Sequence, residues 1–227
     1  MENVSISEFG PQALLVRFAE SVDASSLARC RGLLHALDQA CLDGIRDLTP
    51  AYCSLLLEFE HPEQVANQLG DLKEVIKSAK AWPAEEAPLH EIRVCYDGAD
   101  IEEFARCVRL SVSNVIALHT APIYSVFVIG FSPGFPYLGP LDPRLHAPRL
   151  SSPRTRVGAG SVAIGGEHTG IYTIASPGGW WLIGRTDSEV FCRAKASDAG
   201  SGEAFLLRQG DRVKFHAVTT LGTQAKK

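Results

Sequence analysis

The sequence contains no C-x-x-C pair. Its six cysteines, Cys30, Cys41, Cys53, Cys95, Cys107 and Cys192, are scattered. A structural zinc site needs thiolates or imidazoles at close spacing, so no metal is expected. Thiols on apolar faces read instead as reduced and buried, which points to the cytoplasm. No apolar run approaches the ~20 residues that span a bilayer, so no membrane segment is expected. The opening MENVSISEFG has neither a basic nor an apolar segment, so no secretion signal is expected. Lysine and arginine form no long block and the formal net charge is -4, which argues against nucleic acid as a partner. G-x-x-x-x-G-K-[ST] is absent, so nucleotide is not held here in the Walker manner. There is no nucleophile elbow around any serine and no repeat of fixed period.

What is present fits a folded chain. Of its 227 residues, 45% are hydrophobic and 21% charged, enough for one large domain or two small ones. Residues 3–7 alternate and read as an edge strand. Ala13 to Phe18 is a compact apolar run, read as a buried strand. Asp23 opens a helix as its N-cap. Leu27, Cys30, Leu34, Leu37 and Cys41 then fall on one face, and Asp43-Gly44 ends it. Two strands follow, Ile45 to Leu48 and Tyr52 to Phe59, turning at Thr49-Pro50. Pro62 starts a second helix with Val65, Leu69, Leu72, Ile76 and Ala79 on its apolar stripe. This order predicts a small ferredoxin-like α/β domain over residues 1–82.

The stretch 83–89, with Pro83, Glu85, Glu86 and Pro88, reads as a linker. Residues 90–227 form the second domain. Glu91 to Tyr96 alternates as a strand, Asp100 caps a short helix, and Ser113 caps another that ends near His119. Tyr124 to Phe131 and Asp211 to Phe215 are further strands. Many short strands with few helices predict a closed or partly closed β-barrel, and the whole chain is α+β.

The stretch from Gly130 to Thr186 carries the functional signal. Glycine and proline recur too often for a long helix, yet Phe131, Phe135, Tyr137, Tyr172, Trp180 and Trp181 are interleaved with them. Aromatic turns of this kind build pockets more often than plain core. Gly158, Gly160 and Ala163 match a dinucleotide fingerprint, but a strand follows where a helix is required. Arg149, Arg154 and Arg156 lie among prolines. They read either as a solvated surface or as a preorganised site for carboxylate or phosphate. Ser176-Pro177-Gly178-Gly179-Trp180 reads either as a tight hairpin or as backbone amides aimed at a ligand oxygen. His119 has two readings as well: a helix end satisfied by the dipole, or an acid–base group at the barrel mouth. His168 reads as an exposed turn residue.

At these motifs the chain resembles the 5-oxoprolinase B-subunit family, also described as the KipI family and as allophanate hydrolase subunit 1. The resemblance is carried by 130–139 (GFSPGFPYLG), Pro148-Arg149, Pro153-Arg154, 159–162 (AGSV), 169–172 (TGIY), 176–180 (SPGGW) and 184–186 (GRT). Ala13 to Val16, Pro50 to Leu55, Leu118 to Thr120 and Gly210 to Val213 also fit. It implies a cyclophilin-like β-barrel after the N-terminal α/β domain, in a cytoplasmic protein that works with the C-like and A-like subunits of 5-oxoprolinase as partners. The assembly would open 5-oxo-L-proline to L-glutamate with ATP, which is used at the level of the complex. Two alternative readings go with it: a regulator that inhibits a sensor histidine kinase, and a subunit handling a urea-derived amide. The expected site has His119 and Arg154 as catalytic groups. Arg149, Tyr137, Tyr172, Ser176, Gly178, Gly179, Trp180 and Arg185 would bind the small-molecule substrate. The chain departs from the family pattern at Gly158, Thr173 and Asp187, each a usual proline. It departs also at His168, a usual glutamine, at Trp181, a usually polar site, and in 192–203, which lacks the usual proline. These departures are expected at the pocket rim.

Overall fold

The computed structural model describes residues 4–20, 24–197 and 202–222. The expected N-cap at Asp23 lies outside them. The chain divides into two compact units, Met1–Ala87 and Pro88–Lys227.

In the first unit, β1 (Ser5–Glu8) and β2 (Ala13–Arg17) form a hairpin and α1 (Ala24–Ala40) follows. Then come β3 (Ile45–Ala51), β4 (Ser54–Phe59) and α2 (Pro62–Ser78). The sheet order is β1-β2-β4-β3, antiparallel throughout. Period-two alternation turns Leu55, Leu57 and Phe59 of β4 inward. Cys30, Leu33 and Leu37 of α1 and Leu72 and Ile76 of α2 close the same core. Leu33, rather than Leu34, is the fully buried residue of that turn, and Cys41 is exposed. A ferredoxin-like β-α-β-β-α-β unit takes its last strand after the second helix. Here the strand beside β2 comes from the N-terminus instead, as β1. The expected turn at Thr49-Pro50 is also corrected. Both residues belong to β3, an edge strand, where a proline forfeits no ladder bond. The chain reverses at Tyr52, whose φ is +50°.

The second unit begins with β5 (Leu89–Val94), α3 (Ile101–Cys107) and α4 (Val112–Thr120). The strands β6 (Tyr124–Ile129), β7 (Pro136–Gly139), β8 (Arg154–Val157), β9 (Ser161–Gly165), β10 (His168–Ile171), β11 (Ser176–Gly178), β12 (Trp181–Arg185) and β13 (Arg212–Ala217) follow. Seven of them form one sheet in the order β12-β9-β10-β7-β6-β13-β5. Cys95, just past β5, exchanges two 2.9 Å backbone bonds with Arg185 of β12, so the two edges meet and the sheet is nearly closed. β8 and β11 pair separately. Ser111, not Ser113, caps α4, accepting from the Asn114 amide. Only Cys30 and Cys95 of the six cysteines are buried.

The pleat of the barrel wall sorts its side chains into two clusters. Leu138, Val162, Ile164, Ile171, Trp181 and Ile183 belong to the barrel core. Their neighbours in sequence, Tyr137, Ala163 and Leu182, pack in a second cluster with Phe135, Val157, Tyr172 and Trp180. One strand thus serves two apolar clusters, the interior and a patch on the other face of the wall.

Candidate functional site

The second cluster is aromatic. Phe135 is the hub, with ring centroids 5.1 Å from Tyr137, 5.2 Å from Tyr172 and 5.4 Å from Trp180, all edge to face. That geometry sets the positive edge of one ring on the negative face of the next. Gly170 makes room for it, since a Cβ there would lie 3.0 Å from the Phe135 ring. The rings leave a cleft of about 140 Å³, lined by Tyr137, Arg149, Tyr172, Gly178, Gly179 and Trp180, with Phe131, Phe135, Leu150 and Pro153. Six of the ten expected site residues therefore meet around one cavity. The cleft belongs to the cluster on the face of the wall opposite the barrel core.

Arg149 supplies the cleft's positive charge. Its guanidinium lies 5.8 Å over the Trp180 ring. It is exposed, and among the described residues it has no hydrogen bond or ion pair. Its loop is held on both sides. The Leu150 amide donates to Gly179 O at 2.8 Å, and the Trp181 indole donates to Pro148 O at 2.8 Å. Burial pushes the Tyr172 phenol up, opposed by the Trp180 amide and by the charges of Arg149 and Arg154. The phenol is therefore neutral, and its hydroxyl lies where a Gly178 Cβ would come within 2.1 Å.

The other expected residues are elsewhere. Arg154 is paired with Asp100, whose second oxygen accepts the Leu182 amide at 2.7 Å. Asp100 is buried, so this carboxylate joins α3 to β8 and β12 instead of capping its own helix. Among the described residues, the Arg154 Nη1 and the Ser176 hydroxyl are buried without a partner, and neither residue lines the cleft. Arg185 forks onto Asp97, at 2.9 and 2.7 Å to Oδ2. It faces a separate cavity of about 450 Å³, together with Thr173, Asp187 and Glu189.

His119 is corrected from the barrel mouth to the barrel interior, with no exposed surface. Tyr96 Oη lies 2.6 Å from Nδ1 and Thr169 Oγ1 lies 2.7 Å from Nε2. The Thr169 hydroxyl donates to Ala163 O, so it accepts from Nε2–H, and the bare Nδ1 accepts from the Tyr96 phenol. Burial holds this ring neutral, its pKa pushed down to about 3. His168 is half-buried beside Tyr137 rather than exposed, and burial lowers its pKa. The departures do not share one rim. Thr173 and Asp187 line the larger cavity, His168 lies near the cleft, and Trp181 is in the barrel core.

Phe131, Phe135, Leu150 and Pro153 were not among the expected site residues. The Gly-Phe-x-Pro-Gly-Phe spacing around the first two was the available signal. Among the described residues, no group of three or more His, Cys, Asp or Glu could hold a metal ion, and no helix is long and apolar enough to cross a membrane.

Residues 4–199 match the family model described as carboxyltransferase domain, subdomain C and D. The chain is 35% identical to the B subunit of 5-oxoprolinase from Bacillus subtilis, over 92% of this chain and 91% of that protein. Among solved structures, TTHA0988 is 39% identical with a TM-score of 0.79. The match covers 91% of this chain but only 40% of that longer one. The urea carboxylase of Kluyveromyces lactis shares the fold at a TM-score of 0.73 with 22% identity, covering 95% of this chain and 22% of that one.

Proposed function

The chain belongs to the 5-oxoprolinase B-subunit family, and from that premise we propose that it binds the lactam in an ATP-dependent 5-oxoprolinase. The C-like and A-like subunits of that enzyme are its partners. The observation that carries this reading is the unpaired Arg149 over Trp180, at an aromatic cleft of about 140 Å³. The substrate 5-oxo-L-proline is a five-membered lactam bearing one carboxylate. Arg149 offers that carboxylate a planar fork. Tyr137, Tyr172 and Trp180 offer the ring apolar walls and exclude water.

A lactam is a resonance-stabilised amide and a poor electrophile for water. ATP supplies a phosphoryl group that makes its carbonyl carbon easier to attack. A nucleoside triphosphate carries several negative charges, and the cleft offers it one guanidinium. The residues of this cleft are therefore assigned binding and orientation of the lactam, and nucleotide is assigned to another site in the assembly. His119, sealed in the barrel with both ring nitrogens occupied, is assigned a structural role. Arg154 is assigned to holding Asp100.

Mixing the chain with its candidate partners and following 5-oxoproline-dependent phosphate release tests the reading. Stimulation by 5-oxoproline, with KM raised tenfold or more in Arg149→Ala, is expected; a lost charge-assisted bond of roughly 1.5–3 kcal/mol gives that factor. Stimulation by a urea-derived amide instead, or inhibition of a sensor histidine kinase without phosphate release, would overturn it in favour of those activities.

A further inference from the structure

We propose that Phe131 is the specificity-determining residue of the aromatic cleft and that Thr173 positions it. This rests on the lactam reading of the cleft. Phe131 has a φ of +66°, where a residue with a Cβ is strained. The Ser132 amide donates back to Gly130 O across it at 2.7 Å, the short loop of a strained γ-turn. A glycine would take this backbone shape without strain. A phenylalanine is there instead, and folding gains little from it, because it stays 60% exposed. The ring stands at the lip of the cleft, edge to face with Phe135 at 5.4 Å and with Tyr172 at 6.2 Å. An exposed aromatic held by strain beside an apolar cavity recovers its burial only when something occupies that cavity.

The loop that carries it is fastened. The Phe135 amide donates to Ser132 O at 3.0 Å, and the Gly130 amide to Phe135 O at 3.0 Å. The third fastening comes from a side chain. The Thr173 hydroxyl donates to Pro133 O at 2.6 Å. Without that hydroxyl the loop would lose the bond. Thr173 thereby ties the Phe131 turn to the segment after β10 and keeps the ring over Tyr172. With that lip in place, the cleft takes an unsubstituted five-membered lactam acid and resists a larger ring.

The test uses the reconstituted complex and two substrates, 5-oxo-L-proline and its six-membered homologue, the lactam of α-aminoadipic acid. The wild-type complex is expected to prefer the smaller ring by about tenfold or more in kcat/KM, the range one methylene commands in a tight pocket. Phe131→Ala is expected to reduce that preference about tenfold, chiefly by raising KM for 5-oxoproline with kcat held. Phe131→Gly should do the same while its melting temperature holds or rises, since glycine relieves the strained φ. Thr173→Val should shift the preference the same way by about threefold. Wild-type preference and KM in both Phe131 variants would overturn the proposal, as would a lowered melting temperature in Phe131→Gly with preference intact, which marks a purely structural ring. A wild-type complex indifferent to 5-oxoproline overturns the lactam reading itself, a result separate from any Phe131 effect.

Discussion

Arg149 and His119 show how differently two polar side chains of one domain can be used. Arg144, Arg154 and Arg185 are each committed to an aspartate, on Asp142, Asp100 and Asp97. Arg149 is not, so its charge is available to a ligand. Arg149→Lys keeps that charge but loses the planar fork. Its KM for 5-oxoproline in the reconstituted complex is expected to fall between wild type and Arg149→Ala. His119 is spent on the fold, between Tyr96, Thr169 and the stacked Phe215 ring, with the Tyr124 hydroxyl on its carbonyl. Its folded pKa of about 3 lies below its ordinary 6.5. The unfolded chain therefore takes up a proton first as pH falls. Stability is full above the ordinary value and is lost progressively between there and about 3, at up to about 1.4 kcal/mol per pH unit. Urea melts between pH 6.5 and 4 should show that slope in wild type and a flatter one in His119→Gln. The sequence carried the arginine better than the histidine. Prolines and aromatics around Arg149 are local marks of a pocket. The partner that fixes the His119 tautomer, Thr169, lies 50 residues away, and nothing near His119 in sequence distinguishes a buried helix end from an exposed one.

The elements were legible where burial follows a period. β4 alternates as its Leu55-Leu57-Phe59 pattern demands, and α2 starts on Pro62 as a first helical turn allows. Elements were less legible where a long-range partner decides. Asp100 reads as the cap of α3, yet its carboxylate reaches Arg154 and the Leu182 amide instead. Removing the arginine leaves a buried carboxylate with one backbone donor. Arg154→Ala is thus expected to cost about 2–3 kcal/mol, at and below the lower end of the roughly 3–5 kcal/mol for a broken buried pair, because the guanidinium is 31% exposed. Urea denaturation reads that loss, and the folded variant's kcat should stay near wild type. The paired glycines of 176–180 also separate by element geometry. A Cβ on Gly178 meets the Tyr172 hydroxyl at 2.1 Å, whereas one on Gly179 meets its nearest atoms at 3.6 Å, an ordinary contact. Gly178→Ala should displace Tyr172 and raise KM severalfold. Gly179→Ala should leave KM within about twofold, measured in the same phosphate-release assay.

For the whole chain, the two units divide between Ala87 and Pro88, in a stretch that carries Pro83, Glu85, Glu86 and Pro88. The near-closure of the barrel was harder to read, because it depends on Cys95 meeting Arg185 across 90 residues of sequence. Closure bears on the cleft, since Tyr137 lies in β7 of that wall, Tyr172 directly follows β10 and Trp180 directly precedes β12. A cleft built on a fixed wall is formed before any partner arrives, so binding and turnover should separate. Trp180 lines the cleft, and its indole is a built-in reporter. The chain alone, titrated with 5-oxoproline, is expected to change its tryptophan emission, and Arg149→Ala should shift the midpoint at least tenfold. Phosphate release should stay at background in the same sample until the C-like and A-like partners are added, because nucleotide is assigned to the assembly. Emission that stays flat alone but changes once the partners are present would place cleft assembly after docking of the partners and remove the preformed wall from the account.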